Sequence, residues 1–532
     1  MATMHIRNRQ GLVDQHPRAH TTGSRLVQNA LSNVLGQSVL IALTFFSTPY
    51  ITRKLGATEY GTLSLLMTYL FAFSLLNLGV NASLVKYLAE LLPLRRFEDM
   101  QRYFATSLTL LGGIGTAIAA IVFFAADPIV RTCFKGPVAL TGPTVLALRI
   151  ASAAFVLQFL AQVMSSIASA VQRFEILNLI RAGSEALRVI LTVAALSIGL
   201  RLPSLMVVVV LSGLCSCLAY AISAKHLMPA LRLVPGFSTH HFESLFSHSR
   251  HVLVGNLSNQ LVSTADNFLI GLFLPVANVA YYAIPYMLAR RLWTFAANIV
   301  SVVFPAASAF QGAGQGAHIQ QIYLRGTKIS FLVGCYPALS LCVFSRPFLG
   351  FWLGPDYARE SAIVLSLLAT GFLLNLLSYV PYQVLQGTRY AATAAKASLV
   401  YSAVNLGLFV VLIPLDGIRG AAIAFCVAQV LFVPWFVRKA NMLLGVSWAT
   451  VIRVSYLRGA VCGAFSVGLC WLVRQWIHSL LALGVLVAAG LVMYALLAAL
   501  LVLDAKEKAA CLLLIRRWLP HGHGDRELGH ML

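Results

Sequence analysis

The feature that most constrains this chain is a succession of long apolar segments, each of about 20 residues, separated by short polar stretches. An α-helix of that length crosses the hydrocarbon core of a bilayer. Only 11% of the 532 residues are charged and 59% are hydrophobic, whereas soluble domains carry about 25% charged residues. The chain is therefore predicted to be an all-α polytopic membrane protein and not a soluble enzyme.

The length rule finds about fourteen such segments. They lie near 27–51, 61–82, 104–126, 145–171, 182–200, 203–224, 252–273, 279–306, 329–351, 362–385, 397–415, 420–436, 457–476 and 480–503. The longest polar interruption runs from 225 to 250 and divides the segments into two sets of six and a final pair. The predicted organisation is an N-terminal tail (1–24), an N-lobe (25–224), a cytoplasmic joint (225–251), a C-lobe (252–437), a C-terminal pair (438–503) and a C-terminal tail (504–532).

The charge distribution orients this map. The chain has 39 Lys+Arg against 17 Asp+Glu, and roughly 27 of the basic residues fall on segments that are inside when the N-terminus is inside, against about 10 outside. Basic residues collect in cytoplasmic segments, so both termini are predicted to be cytoplasmic. Nucleic-acid binding is disfavoured because no basic domain with interleaved aromatic residues is present.

The two six-helix sets show a weak internal repeat. Leu55-Gly56-Ala57-Thr58-Glu59-Tyr60-Gly61 follows the first span, and a related stretch, 274–282, follows the seventh. Gln172-Arg173-Phe174 after the fourth span has a counterpart at 386–390 after the tenth. Two repeated bundles are typical of transporters that alternate access to a site near the midplane.

Three motifs carry a resemblance to a known family. They are TRKLGATEYG at 52–61, DNFLIGLF at 266–273 (followed by Tyr281-Tyr282 and Pro305) and GIRGAAIA at 417–424. In this order they resemble the polysaccharide-transporter (Wzx-type) flippases, over most of 26–436. Leu274-Pro275 departs from the family's usual Leu-Gly. The first span also lacks the cationic pattern of MurJ-type proteins, which disfavours a lipid II flippase.

The resemblance implies a fold and a function. The fold is the two-lobe helical bundle shared by Wzx-type, MurJ-type and multidrug MATE transporters. The function is flipping of an undecaprenyl-diphosphate-linked oligosaccharide to the outer leaflet of a bacterial inner membrane, for O-antigen, capsule or exopolysaccharide. The implied protein partners are a polysaccharide polymerase and chain-length or export proteins.

Arginines inside the eighth predicted span are the leading candidates for substrate binding. A charged side chain at the centre of a span costs about 2.5–3.5 kcal/mol or more, so it is expected to face protein or water. Arg290 and Arg291 point about 100° apart on a helix. One is predicted to face a cavity and bind diphosphate or an acidic sugar. The other is predicted to pair with Asp266 on the seventh span, and a purely structural ion pair between the seventh and eighth spans remains the alternative.

The fifth span offers a second charged pair. Arg188 and Glu185 are three residues apart and share a helical face, so a structural pair and a cavity role remain alternatives. Asp266 and Glu185 are the deep carboxylates on which proton or sodium coupling would depend. No organic cofactor and no metal site are predicted.

Polar and aromatic side chains complete the candidate site. The seventh span is polar for a lipid-facing helix, and its residues Asn256, Asn259 and Gln260 are predicted either to bond neighbouring helices or to line a sugar route. Tyr286 and Trp293 on the eighth span are predicted to stack on sugar rings. For Tyr281 and Tyr282, anchoring at the membrane interface is an equal alternative.

Two other function classes stay open. A cation-coupled drug or small-solute exporter of the same fold is the second hypothesis, although the arginines favour an anionic cargo. A membrane glycosyltransferase or polymerase is the third, but the predicted outer loops are short and poor in carboxylates. No P-loop motif is present, so an ATP-driven pump would need a partner chain. The nine cysteines show no paired CxxC motif, which disfavours a zinc site or a disulfide framework.

Overall fold

The protein was analysed as a computed structural model that describes residues 20–73, 79–300, 303–505 and 507–508. For 20–40 and 248–264 the description covers the backbone alone. Within these ranges the chain is almost entirely α-helical and contains no β-strand. Each of the fourteen predicted apolar segments falls on one or more of the helices. The predicted all-α polytopic fold class is confirmed.

Sixteen α-helices are found in the described ranges. The helices up to residue 273 are α1 (His20–Phe73), α2 (Val80–Leu91), α3 (Phe97–Phe124), α4 (Ala126–Cys133), α5 (Val138–Ala170), α6 (Phe174–Ser197), α7 (Leu202–Leu227) and α8 (Thr239–Phe273). The remainder are α9 (Val276–Ile299), α10 (Val303–Gly312), α11 (Gly316–Trp352), α12 (Pro355–Gln386), α13 (Ala391–Leu444), α14 (Trp448–Val451), α15 (Arg458–Leu472) and α16 (Leu480–Leu501). A π-helical segment, Ile452–Leu457, joins α14 to α15.

Two glycines mark kinks where two predicted spans share one helix. The motif at 52–61 lies between the first two predicted spans, but α1 continues through it and departs from helical geometry at Gly56, whose φ is 73°. In α13 the break falls at Asp416 and Gly417, where Gly417 has a φ of 58°. Glycine adopts positive φ without steric cost, which explains both positions.

Nine helical segments in the described ranges are long and apolar enough to span a bilayer. The last, α16, shows why water cannot be the surrounding solvent. It has a mean hydropathy of 2.6 with only 17% of its window buried, and Leu481 and Leu500 are 77% and 71% exposed. Apolar side chains pointing away from the protein in this way match the hydrocarbon phase of a membrane.

The described residues divide into two compact units. The first unit consists of residues within 1–55, 69–131 and 137–256. In this unit α5 packs against α2, α3, α6 and α7. A Cβ at Gly115 of α3 would lie 2.9 Å from the Phe159 ring of α5, so glycine permits this close helix contact.

The second unit consists of residues within 56–68, 132–136 and 257–532. Here α11 packs along α12, which also contacts α9 and α13. The C-terminal helices α15 and α16 pack on α11, where the Tyr336 and Tyr494 hydroxyls donate to the carbonyls of Val487 and Leu332 at 2.8 and 2.9 Å. A Cβ at Gly61 would lie 2.1 Å from the Val276 carbonyl oxygen, so this motif glycine permits contact with α9.

Candidate functional site

The second unit holds a buried group of polar and charged side chains that centres on α8 and α9. Asp266 of α8 is 1% exposed, and its Oδ1 accepts the backbone N–H of Asn267 at 2.8 Å. Tyr282 and Arg290 of α9 are its electrostatic neighbours. A carboxylate at this depth is expensive to bury, so its surroundings must supply charge or hydrogen bonds.

Arg290 lies about 21 Å along α9 at 1.5 Å per residue, in the C-terminal half of that 24-residue helix. Its guanidinium carbon is 5.9 Å from the centre of the Tyr286 ring, one helical turn earlier. Among the described residues it has no carboxylate within ion-pair distance. Asp266 is therefore near enough to stabilise its charge without occupying its hydrogen-bond donors.

The Tyr282 side chain completes this part of the site. It is fully buried and its ring stacks on Tyr286 with the ring centres 5.9 Å apart. Its hydroxyl is close to Asp266 but makes no well-formed hydrogen bond in the described structure. Three adjacent turns of α9 thus present Tyr282, Tyr286 and Arg290 towards Asp266 of α8.

An amide and hydroxyl network extends the site into α12 and α13. The Tyr401 hydroxyl accepts from Gln429 Nε2 at 2.7 Å and from Asn405 Nδ2 at 3.1 Å. Gln429 Oε1 accepts in turn from Asn375 Nδ2 at 3.3 Å. Asp266 and Tyr286 are electrostatic neighbours of Tyr401, so the network is contiguous with the charged group.

The sequence analysis did not select this network. Asn375, Asn405 and Gln429 each stand alone among apolar residues on their helices, and both Asn405 and Gln429 are at most 1% exposed. An isolated amide inside a span is expensive to bury unless it bonds across helices. This signal was available in the sequence, but it identified no partners.

The aromatic residues of α9 have different surroundings. Tyr281 contacts the Tyr357 ring at 4.9 Å, and its carbonyl accepts from Ser361 at 2.7 Å, which makes it a packing residue between α9 and α12. Trp293 packs against Phe372 and lines a cavity of about 10 Å³ between α9, α11 and α12. That volume holds about one water molecule, so the pocket is too small for a sugar.

Arg291 is half-buried beside Arg290. Of the residues predicted to form the site, the structure brings Arg290, Asp266 and Tyr286 together. Of the polar residues predicted on α8, the side chains of Asn256, Asn259 and Gln260 lie outside the described part of the structure.

In the first unit, Glu185 and Arg188 form an ion pair on α6. Arg188 Nε donates to Glu185 Oε2 at 3.0 Å, and both side chains are about one-third exposed. The next turns of α6 contribute Val189 and Val193 to an open groove of about 470 Å³. Its α1 side is formed by Ala42, Leu43, Phe46, Ser47 and Tyr50. Glu185 precedes Val189 by four residues and so shares the face of α6 that lines this largely apolar groove.

Solved structures show which fold this is. A structure described as "Lipid II flippase MurJ, inward closed conformation" superposes with a TM-score of 0.68, covering 89% of this chain and 98% of that chain at 12% identity. An inward-facing multidrug resistance MATE family transporter of the MOP superfamily superposes with a TM-score of 0.66, covering 77% and 99% at 14% identity. At these identities the likeness establishes the fold alone.

Two curated relatives are similar in sequence. One, of Haloferax volcanii, is named "Probable low-salt glycan biosynthesis flippase Agl15" and is 27% identical over 215 residues, which are 39% of this chain and 45% of the relative. The other, of Shigella flexneri, is named "Putative O-antigen transporter" and is 20% identical over 407 residues, 76% of this chain and 95% of the relative.

The family model described as "Polysaccharide biosynthesis protein" matches residues 50–362. This range includes the motifs at 52–61 and 266–273, as well as Glu185, Arg188 and Arg290. It covers more than half of the chain, and the resemblance seen in the sequence is confirmed. The chain belongs to the polysaccharide biosynthesis protein family.

Proposed function

We propose that the protein flips a polyprenyl-diphosphate-linked oligosaccharide from the inner to the outer leaflet of a bacterial inner membrane, for assembly of a surface polysaccharide. The observation that carries the proposal is Arg290, a cation inside a membrane-spanning helix that has no ion-pair partner among the described residues. The names of the relatives from Haloferax volcanii and Shigella flexneri support a glycan as the cargo.

The chemistry of a diphosphate fits Arg290. A guanidinium presents a planar set of donors that pairs with phosphate oxygens in a bidentate manner. Its electrostatic neighbour Asp266 limits the positive charge when no substrate is present. Tyr286 lies against the same guanidinium and holds its direction, so the site is arranged before the lipid enters.

Transport then needs no ATP. The cell interior is negative, so each negative charge that moves outward gains about 2.3 kcal/mol per 100 mV. A dianionic diphosphate therefore gains about 4.6 kcal/mol per 100 mV. Alternating access of two helical lobes would expose Arg290 first to one leaflet and then to the other, and Asp266 or Glu185 would carry any coupled proton or sodium ion.

The experiment is deletion of the gene in its host, followed by measurement of the lipid-linked glycan in each leaflet. The proposal expects the glycan to accumulate on the inner leaflet, where impermeant reagents added outside cannot reach it, and surface polysaccharide to disappear. Complementation with the wild-type gene should restore both. Normal surface glycan together with increased sensitivity to drugs would reject the proposal and favour the cation-coupled exporter.

A further inference from the structure

The connection between α7 and α8, residues 228–238, has no regular secondary structure but is hydrogen-bonded along α3. Gln101 of α3 bonds the backbone of Arg232 in both directions. Its Nε2 donates to the Arg232 carbonyl at 2.8 Å, and its Oε1 accepts the Arg232 N–H at 2.7 Å. One side chain thereby replaces the two bonds that a neighbouring strand would make.

Two turns further along α3 the same arrangement occurs at Gly236. The Thr109 hydroxyl accepts the Gly236 N–H at 3.0 Å, and its single proton is shared between the Gly236 carbonyl at 2.9 Å and the Ala105 carbonyl of its own helix at 3.0 Å. Between Gln101 and Thr109 lies Ala105, whose Cβ would be 3.2 Å from a Cβ placed on Gly236. These three residues recur every four positions and so form one face of the helix.

The end of the connection is anchored at the first turn of α8. The Ser238 N–H donates to Thr106 Oγ1 at 3.3 Å, and Ser238 Oγ is 2.8 Å from His241 Nδ1. His241 is 6% exposed and meets the edge of the Tyr103 ring with the centres 4.5 Å apart. Its Nε2 lies 3.8 Å from Asp99.

We propose that residues 228–241 form a strap that is fastened lengthwise to α3 and stays there during transport. The joint predicted from the sequence is then a fixed part of the first unit and not a flexible linker. The extent of the first unit agrees, since it includes the strap and continues into α8 as far as Asn256. Motion between the units must arise beyond the strap. This proposal does not depend on the identity of the transported lipid.

Hydrogen–deuterium exchange of the full-length protein in lipid nanodiscs tests the strap directly. The N–H groups of Arg232, Gly236 and Ser238 donate to side chains of α3, so peptides covering 229–240 should exchange at least tenfold more slowly than an unstructured chain. Exchange of these peptides at the unstructured rate in the wild-type protein would overturn the proposal, whatever the transport assay shows.

Two substitutions test whether the hydrogen bonds to α3 cause the slow exchange of the strap. Thr109→Val removes both bonds to Gly236, and Gln101→Leu removes both bonds to Arg232. Each is expected to speed exchange of the bonded amide by about fivefold, the effect of losing about one net hydrogen bond. Thr116→Val is the matched control, because the Thr116 hydroxyl bonds only the Gly112 carbonyl of its own helix. Equal effects of Thr109→Val and Thr116→Val would overturn the assignment.

Trypsin gives an independent measurement. Arg232 is exposed, and cleavage after it requires the strap to leave α3 so that the backbone can enter the protease. Gln101→Leu should therefore raise the rate of appearance of the peptide that begins at Leu233 by about fivefold, and Thr116→Val should not change it. Rapid cleavage at this bond in the wild-type protein would contradict the proposal.

Discussion

Lys328 and Arg290 are both cations within long helices of the second unit, but their surroundings differ. The Lys328 side chain on α11 is 3% exposed and its Nζ bonds Asp504 at 3.2 Å and Glu507 at 2.7 Å. Arg290 on α9 has the Tyr286 ring at 5.9 Å and Asp266 as an electrostatic neighbour. No contact ion pair is found for it in the described structure.

Under the proposed function, this difference would distinguish a structural charge, Lys328, from a substrate-binding one, Arg290. Lys328 is neutralised by two carboxylates that follow α16, so it fastens the end of the C-terminal helix pair to α11. Under the proposed function, Arg290, which also bonds the Tyr286 side chain, would offer its remaining donors to the substrate. We expect a charged side chain inside a span to bind a ligand when its neighbours stabilise the charge but leave some of its hydrogen-bond donors free. The following predictions test whether Arg290 and Lys328 differ in this way.

The largest effect is expected for Lys328→Met. The substitution leaves Glu507, whose side chain is 13% exposed, without its cation, and breaking a buried ion pair costs about 3–5 kcal/mol. The unfolding temperature should fall clearly, and Lys328→Met combined with Glu507→Gln should recover part of the loss. The control is Arg359→Met, because Arg359 pairs with Asp356 at the surface with its side chain 72% exposed. Equal losses for Arg359→Met and Lys328→Met would show that Lys328 is not a structural anchor.

Arg290→Ala is expected to lower glycan flipping at least tenfold. It also removes the cation beside the buried Asp266 carboxylate, so the unfolding temperature should fall, but by less than in Lys328→Met because Asp266 keeps the Asn267 N–H at 2.8 Å. Hydrogen bonds from a charged group contribute about 1.5–3 kcal/mol, which a diphosphate would lose. Arg149→Ala is the matched control, because Arg149 also lies over an aromatic ring, that of Phe123 at 5.5 Å, but is exposed. Transport in proteoliposomes measures the first effect and thermal unfolding the second. Full transport by Arg290→Ala would show that Arg290 does not bind the substrate.

Asp266→Asn tests whether the neighbour of Arg290 also couples transport to an ion. The expected result is a rate of flipping that no longer depends on pH or on sodium, because the amide can neither bind a proton at ordinary pH nor balance a cation by charge. Glu185→Gln is measured in parallel, and Asp356→Asn serves as a surface control, since the Asp356 side chain is 69% exposed. An unchanged dependence in both variants would remove the coupling role from these two carboxylates.

Gln429→Leu probes the uncharged network beside Arg290. Removing a buried amide leaves the Tyr401 hydroxyl and the Asn375 amide with fewer partners, which costs about 1–3 kcal/mol. Gln386→Leu is a close control, because Gln386 Nε2 also donates to a tyrosine hydroxyl, that of Tyr382 at 3.0 Å, but at an exposed position. Unfolding temperatures should fall for Gln429→Leu and change little for Gln386→Leu. The opposite order would mean that the network does not stabilise the second unit.

The smallest effect is expected at His241, a basic group kept neutral near a carboxylate. Burial, followed by the nearby His240, lowers the pKa of His241, and Asp99 opposes this shift only in part, with Arg102 adding to it. A depressed pKa means that the folded state resists protonation. The stabilising contribution is therefore present above the ordinary histidine pKa of about 6.5 and is lost as the pH falls through the lower value in the folded protein.

The measurement for His241 is the unfolding temperature between pH 8 and pH 5. The wild-type protein should lose stability below about pH 6.5, and His241→Asn, which has no titrating ring, should lose less. Parallel curves for the two proteins would contradict the role of His241 in the strap. His241 would then be a third case beside Lys328 and Arg290, namely a basic side chain that is buried in its uncharged form.

The predicted spans agree with the helices because helix formation and membrane insertion depend on about 20 neighbouring residues. The cost of burying a charge in a span is equally local, and it was enough to select Arg290 and Asp266. It was not enough to place Lys328, which immediately precedes the predicted ninth span at Ile329, or to join Gln429 to Tyr401. The partners of Lys328 are 176 and 179 residues away in the chain.

The amino-acid sequence by itself therefore determined that this chain is a helical membrane protein and which motifs resemble its family, and it selected some of the charged residues within its spans. Only the tertiary structure decided which of those charges are paired, that the polar stretch after α7 is strapped to α3, and that amides from separate helices form one network. The physical reason is that apolar burial is a property of each segment. A hydrogen bond or ion pair is a property of two groups, and the fold alone brings them together.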